Sequence, residues 1–194
     1  MNTEGSALAE GLFWMAEKLM WGYEGVEKDP IEAFRLYRQA ANLGFSDAYI
    51  RLGQLQEYGK GTPSNPSEAL ESYKAAARYG NFFAFAYLAQ LLSRTTHLEK
   101  ADALWKRFFA ALEFNPAPVF LSASRGELLH DYIVTQLRLG LNPSYQETLK
   151  RYRLDIVAYH QQMLEHTRDE NLERMERAAE WIELNLGPWP SIGT

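Results

Sequence analysis

Laid against itself with a shift of 36 residues, the chain brings a run of identical residues into line. Leu19 falls on Leu55, Gly25 on Gly61, Pro30 on Pro66, Glu32 on Glu68 and Ala33 on Ala69. Tyr37 falls on Tyr73, Ala40-Ala41 on Ala76-Ala77 and Gly44 on Gly80. A repeat of this length is the signature of stacked supersecondary units, and it limits the architecture more than any other feature of the chain. The matches sit where a helical hairpin needs particular chemistry.

The second half of each unit opens with a helix start, Asp29-Pro30-Ile31-Glu32 and Asn65-Pro66-Ser67-Glu68. Asp or Asn accepts a bond from an orphan backbone N–H, proline suits the first helical position, and Glu at the third position can reach back to the cap. Ala33, Tyr37, Ala40 and Ala41 then share one face, and Gly44 and Gly80 close the two helices where the backbone must turn left-handed. In the first half, Ala48, Leu52, Gly53, Leu55 and Gln56 keep a period near 3.6. Glycine inside a helix costs about 1 kcal/mol against alanine, so Gly53 implies a close approach by a neighbour. Tyr58-Gly59-Lys60-Gly61-Thr62-Pro63 reads as the breaker loop between the halves.

These residues resemble the Sel-one-like repeat family, relatives of the tetratricopeptide repeat. The second unit carries that pattern as Ala48, Leu52-Gly53, Gly59-Lys60-Gly61, Ala69, Tyr73, Ala76-Ala77 and Gly80. The first carries it mainly from Gly25 onward, with Ala16-Glu17 where Leu-Gly is expected. A third, degenerate unit keeps Ala84 and Leu88-Ala89, loses the glycine loop, and resumes with Ala101, Trp105 and Phe108-Phe109 in place of the Ala-Ala pair. The resemblance implies an all-α fold: an α-solenoid of about three stacked helix hairpins, closed by C-terminal helices because an exposed repeat end is apolar. The expected domains are residues 1–113, the repeats, and 114–194, a helical cap packed on them.

In that last part Asn115-Pro116-Ala117-Pro118 stops the third hairpin, and a helix is expected from Glu127 to Leu139 with Gly140 closing it. Asn142-Pro143 repeats the cap-plus-proline start, predicting a helix over 143–166 with Leu149, Tyr152, Ile156, Tyr159 and Met163 on one side. A final helix carries Leu172, Met175, Ala179, Ile182 and Leu186 and ends at Gly187-Pro188, and the tail from Trp189 is read as frayed. The last helices are read as a cap, with a second interaction surface or a homodimer contact as the alternative.

Composition narrows the function classes. Apolar residues at 46% against 23% charged describe a foldable chain, and a net charge of −5 with one small basic cluster, Lys150, Arg151 and Arg153, argues against nucleic acid. With no cysteine, disulfides, thiolate metal sites and cysteine nucleophiles are excluded. The first ten residues lack a basic leader and the longest apolar run, Phe82 to Ala89, is far short of a membrane span, so a cytoplasmic location is expected. His97, His130, His160 and His166 fall in no metal spacing, and His130 reads as a surface or interface residue. No nucleophile elbow, phosphate loop or dinucleotide motif occurs, and neither a metal nor a cofactor is expected.

In a superhelix of hairpins the first helices line the concave side, and equivalent positions stack into ladders. At the 36-residue shift these are Lys18, Gln54 and Gln90; Trp14, Ile50 and Ala86; and Trp21, Glu57 and Ser93, beside Tyr58 and Arg94. Tryptophan combined with long polar side chains is the usual make-up of protein hot spots. Trp14, Lys18, Trp21, Gln54, Glu57, Tyr58, Gln90 and Arg94 are therefore the expected partner-binding residues. The resemblance implies a non-catalytic adaptor, scaffold or regulator in a bacterial-type pathway, binding a protein or peptide. The alternatives are an immunity-type protein that plugs a toxin, and an enzyme using His130, His160 and nearby carboxylates between the repeats and the C-terminal helices.

Overall fold

The structure is a computed structural model, and it describes residues 3–114, 125–145, 149–150, 156–157, 159–160 and 169–186. Eight α-helices and no strands occur among the described residues. They are α1 (Thr3–Trp21), α2 (Pro30–Asn42), α3 (Ser46–Tyr58), α4 (Pro66–Arg78), α5 (Phe83–Ser93), α6 (Leu98–Phe114), α7 (Arg125–Arg138) and α8 (Asp169–Leu186). The chain forms two compact units, Met1–Leu91 and Leu92–Thr194, so α6 belongs to the second unit with α7 and α8.

In the first unit α1 packs on α2, α2 on α3, and α3 on α4, which is the stacking of consecutive hairpins. The caps work as the residue types demand. Asp29 Oδ1 accepts from the backbone N–H of Ile31 and Glu32 at 3.1 and 3.0 Å. Asn65 Oδ1 accepts from Glu68 N at 3.3 Å while its side-chain Nδ2 donates to Glu68 Oε1 at 2.8 Å, and its backbone N donates to the Gln56 carbonyl at 2.6 Å. Glu32 instead takes Arg35 at 2.6 Å. Phe13, Ala16, Met20, Ala33, Tyr37, Ala40, Ala41, Ala48, Leu52 and Leu55 form one buried cluster through which the two hairpins share a core.

Two glycines show why the repeat needs them. A Cβ on Gly53 would lie 2.3 Å from the Tyr73 ring, so the missing side chain is what lets α4 lay its tyrosine against α3. Gly61 has φ +72, and a Cβ there would lie 2.0 Å from the carbonyl oxygen of Pro30, where the loop of the second hairpin meets the start of α2.

In the second unit α7 packs on both α6 and α8. Phe108 and Phe109 fill the space that an Ala-Ala pair would leave, and Phe109 stacks on Tyr145 at 4.3 Å and meets Tyr132 edge-on at 4.7 Å. The helix expected from Glu127 begins at Arg125 and ends at Arg138, with Gly140 at φ +70 behind it. The start expected at Asn142-Pro143 does not occur: residues 141–145 are irregular. Asn142 Oδ1 is taken by Trp181 Nε1 at 2.8 Å instead of capping, and Ser144 N donates to the Tyr132 hydroxyl at 2.9 Å. Helical bonding resumes one turn later, where Leu149 N donates to the Tyr145 carbonyl at 3.0 Å. Of the stripe expected on that helix, Leu149 and Ile156 are buried and Tyr159 is partly buried, while Tyr152 and Met163 lie outside the described residues. So do the breaker at 115–118, Arg151 and Arg153 of the basic cluster, and the tail from Trp189. On α8, Ile182 and Leu186 are buried as expected.

No helix among the described residues is long and apolar enough to cross a membrane.

Candidate partner-binding face

Of the two first helices α1 carries exposed side chains along its length, whereas α3 exposes only Tyr58, at its end. On α1, Trp14, Lys18 and Trp21 follow one another at spacings of four and three, which places them on one side. Trp14 is 51% and Trp21 44% exposed, large values for the most hydrophobic surface a side chain can offer. Neither indole is loose. Trp14 Nε1 donates to Glu10 Oε1 at 3.4 Å and Trp21 Nε1 to Glu17 Oε2 at 3.3 Å, the same four-residue step twice. Lys18 reaches Glu24 Oε2 at 2.5 Å, and Glu24 sits in the left-handed region at φ 55 to meet it.

Glu17 ties this side of α1 to α3. Its carboxylate accepts Arg51 Nε at 2.6 Å and Arg51 Nη2 at 3.1 Å, and Arg51 Nη1 donates onward to Gln54 Oε1 at 3.0 Å. The Tyr37 hydroxyl completes the group, donating to Glu17 Oε1 at 2.5 Å from below. Burial first, and then the charge of Glu17, push the Tyr37 hydroxyl well above the ordinary tyrosine value, so it stays a donor. A continuous polar chain thus runs Trp21, Glu17, Arg51, Gln54, with Trp14 and Lys18 beside it. Tyr58 closes α3, 46% exposed, with the Lys60 ammonium 6.0 Å above its ring.

Two expected partner contacts lie in the interior. Glu57 is buried because Tyr73 donates its hydroxyl to Glu57 Oε2 at 2.9 Å. The two hairpins solve one problem in two ways. Each buried tyrosine needs a carboxylate, and the first takes it from Glu17, the equivalent of Gly53, whereas the second takes it from Glu57, one turn further on. Gln90 is 1% exposed, and with it Ile50, Ala86 and Ser93 of the ladders are buried. Arg94 belongs to the second unit, where its side chain lies 3.9 Å from Glu127. Glu10, Glu17 and Arg51 were not among the expected residues. The signal for Glu17 was present in the sequence, a charged residue where the repeat calls for glycine.

The histidines correct a second expectation. His130 is not a surface residue but 2% exposed, and its Nε2 lies 2.8 Å from Nδ1 of His160, itself fully buried. Burial first, and then the neighbouring His130, hold His160 down to about 4, so its neutral form is favoured. No cluster of three or more His, Cys, Asp or Glu suited to a metal occurs among the described residues.

Consecutive helix hairpins with a shared core and a glycine-mediated contact between them define a helical-repeat protein. Residues 9–45 and 46–81 match the family model of the Sel1 repeat, and they correspond to the hairpins α1–α2 and α3–α4. Among solved structures, a Sel1 repeat protein from Oxalobacter formigenes is similar, with a TM-score of 0.53 and 25% identity. The match covers 77% of this chain and 58% of that one, so this chain spans less than two thirds of its length. A comparison with curated proteins gives no match.

Proposed function

We propose that this chain is a non-catalytic interaction module of the cytoplasm, an adaptor, scaffold or regulator that holds a protein or peptide on the first-helix face of its repeats. The observation that carries the reading is the pair of half-exposed tryptophans, each held in a fixed pose by a carboxylate one turn back. Aromatic anchors that are already ordered lose little entropy on binding, and truncating such an anchor typically costs about 2 kcal/mol of affinity or more. Gln54 and Tyr58 add polar groups beside them. The two histidines considered as general bases are buried against each other, which favours the non-catalytic reading.

The test is capture of a partner from the host by the tagged chain, compared with a Trp14→Ala/Trp21→Ala variant whose circular dichroism matches the parent. Loss of the captured protein in the variant is expected. Equal capture by both would reject this face.

A further inference from the structure

We propose that the first-helix face takes a basic peptide segment, its Lys or Arg side chains lying over the indoles of Trp14 and Trp21. The inference rests on the reading above and names the chemistry of the partner.

Around the two indoles the hydrogen-bond donors are committed inside the chain: Trp14 Nε1 to Glu10, Trp21 Nε1 to Glu17, Lys18 to Glu24, and Arg51 to Glu17 and Gln54. An acidic peptide would have to displace one of these carboxylates to find a donor. What remains outward is electron-rich: the two indole faces, exposed over about half their surface, and the exposed carboxylates Glu10 and Glu24. Indole faces attract cations through the ring quadrupole, tryptophan most strongly of the aromatic side chains.

The spacing is regular. Glu10, Glu17 and Glu24 recur every seven residues, with Trp14 and Trp21 interleaved at the same interval. Seven residues of helix rise about 10 Å, and one turn of a polyproline II segment, three residues, rises about 9 Å and returns the side chain to the same side. Cations three apart on a peptide in that conformation therefore match successive indoles. Charge agrees: the carboxylates Glu4, Glu10, Glu17, Glu24 and Glu27 of α1 and the turn after it outnumber the cations beside them, Lys18 paired with Glu24, Arg51 paired with Glu17, and Lys28. Lys18 stands between the two indoles as the single repulsive element toward such a guest.

The experiment titrates the full chain by calorimetry with three synthetic twelve-residue peptides, repeats of Arg-Ala-Ala, Gln-Ala-Ala and Glu-Ala-Ala. The arginine peptide is expected to bind alone, and less tightly as salt is added. Trp14→Ala and Glu10→Gln each weaken it by about tenfold, Lys18→Gln tightens it, and Glu183→Gln, an exposed carboxylate on α8, leaves it unchanged. Binding of the glutamate or glutamine peptide as tight as that of the arginine peptide overturns the proposal. So does arginine-peptide binding that falls equally in Glu183→Gln, or no binding of the arginine peptide. If host-protein capture still depends on Trp14 and Trp21 when the arginine peptide fails, the basic-peptide inference falls and the interaction-module reading stands. If capture is independent of both tryptophans, that reading falls with it.

Discussion

Glu17 on α1 and Arg51 on α3 form a two-pronged ion pair between successive hairpins, with N–O distances of 2.6 and 3.1 Å and side chains only 11% and 22% exposed. The pair stands where the second hairpin has a glycine, and it couples the repeat junction to Trp21 above and Tyr37 below. Stability and the proposed binding face therefore share one carboxylate.

Removing that charge should be costly. Glu17→Gln keeps the shape but leaves a largely buried guanidinium without its counter-charge, a change worth about 3–5 kcal/mol in a fully buried pair. The remaining exposure of Arg51 lets water screen part of this, so a loss of about 2 kcal/mol is expected. Urea unfolding measures it, and a Glu17→Gln/Arg51→Gln double variant should recover part of the loss. An unchanged midpoint in the single variant would show that the pair contributes nothing.

Two glycines in helix interiors should respond to alanine with opposite signs. At Gly53 the new Cβ would lie 2.3 Å from the Tyr73 ring, and the overpacking penalty of about 1–3 kcal/mol outweighs the gain of about 1 kcal/mol in helix propensity. At Gly11 nothing lies within 4 Å, so only the propensity gain remains and Gly11→Ala should raise the melting temperature. Thermal melts of the two variants side by side decide this.

The buried tyrosines should shape the alkaline limb of stability. Both Tyr37 and Tyr73 are held above the ordinary value of 10.0, first by burial and then by the facing carboxylate, Glu17 and Glu57 respectively. A group whose folded value is raised gives stability that is complete below the unfolded value and is lost as pH rises beyond it. Stability should thus decline above about pH 10, less steeply in Tyr37→Phe/Tyr73→Phe. Tyr73→Phe at neutral pH should cost about 1–3 kcal/mol, because the buried Glu57 loses the hydroxyl bond it accepts from Tyr73. Denaturant midpoints against pH test both statements.

On the acid side the second unit carries the sensor. His160 is held down to about 4 from 6.5, so its neutral form is favoured in the folded state. The associated stability is full above the unfolded value of 6.5 and drains away as pH falls toward 4. His160→Gln cannot take up that proton, and its unfolding midpoint should be flatter than the parent's across this window. Parallel slopes for the two proteins would mean that other groups dominate.

How much of this was legible beforehand varied with the range of the interaction. The caps at Asp29 and Asn65, the closing glycines and the alanine-tyrosine faces of α2 and α4 act within a few residues, and each could be located by spacing alone. Gly53 announced a close neighbour and left only its identity, Tyr73, to the structure. Asn142-Pro143 shows where local logic breaks down, since the same cap-plus-proline signal that starts α2 and α4 is overridden when Trp181, 39 residues on, claims the asparagine oxygen.

The binding face divides along the same line. The exposure of Trp14 and Trp21 follows from their position on the outer side of α1, which periodicity sets. The ladder rule failed at Glu57 and Gln90 because it assumes that equivalent positions meet equivalent surroundings, and a buried tyrosine hydroxyl drew Glu57 inward. His130 and His160, thirty residues apart, could be joined only by the fold.

The order of bonds along one helix is written in residues three and four apart, so the chain alone determined its hairpins, their caps and their repeat. Which carboxylate each buried tyrosine finds, and which imidazole faces which, depends on how side chains from distant helices share a small desolvated volume. Tertiary packing decided those pairings, because a buried polar atom must take whatever partner the packing brings within reach.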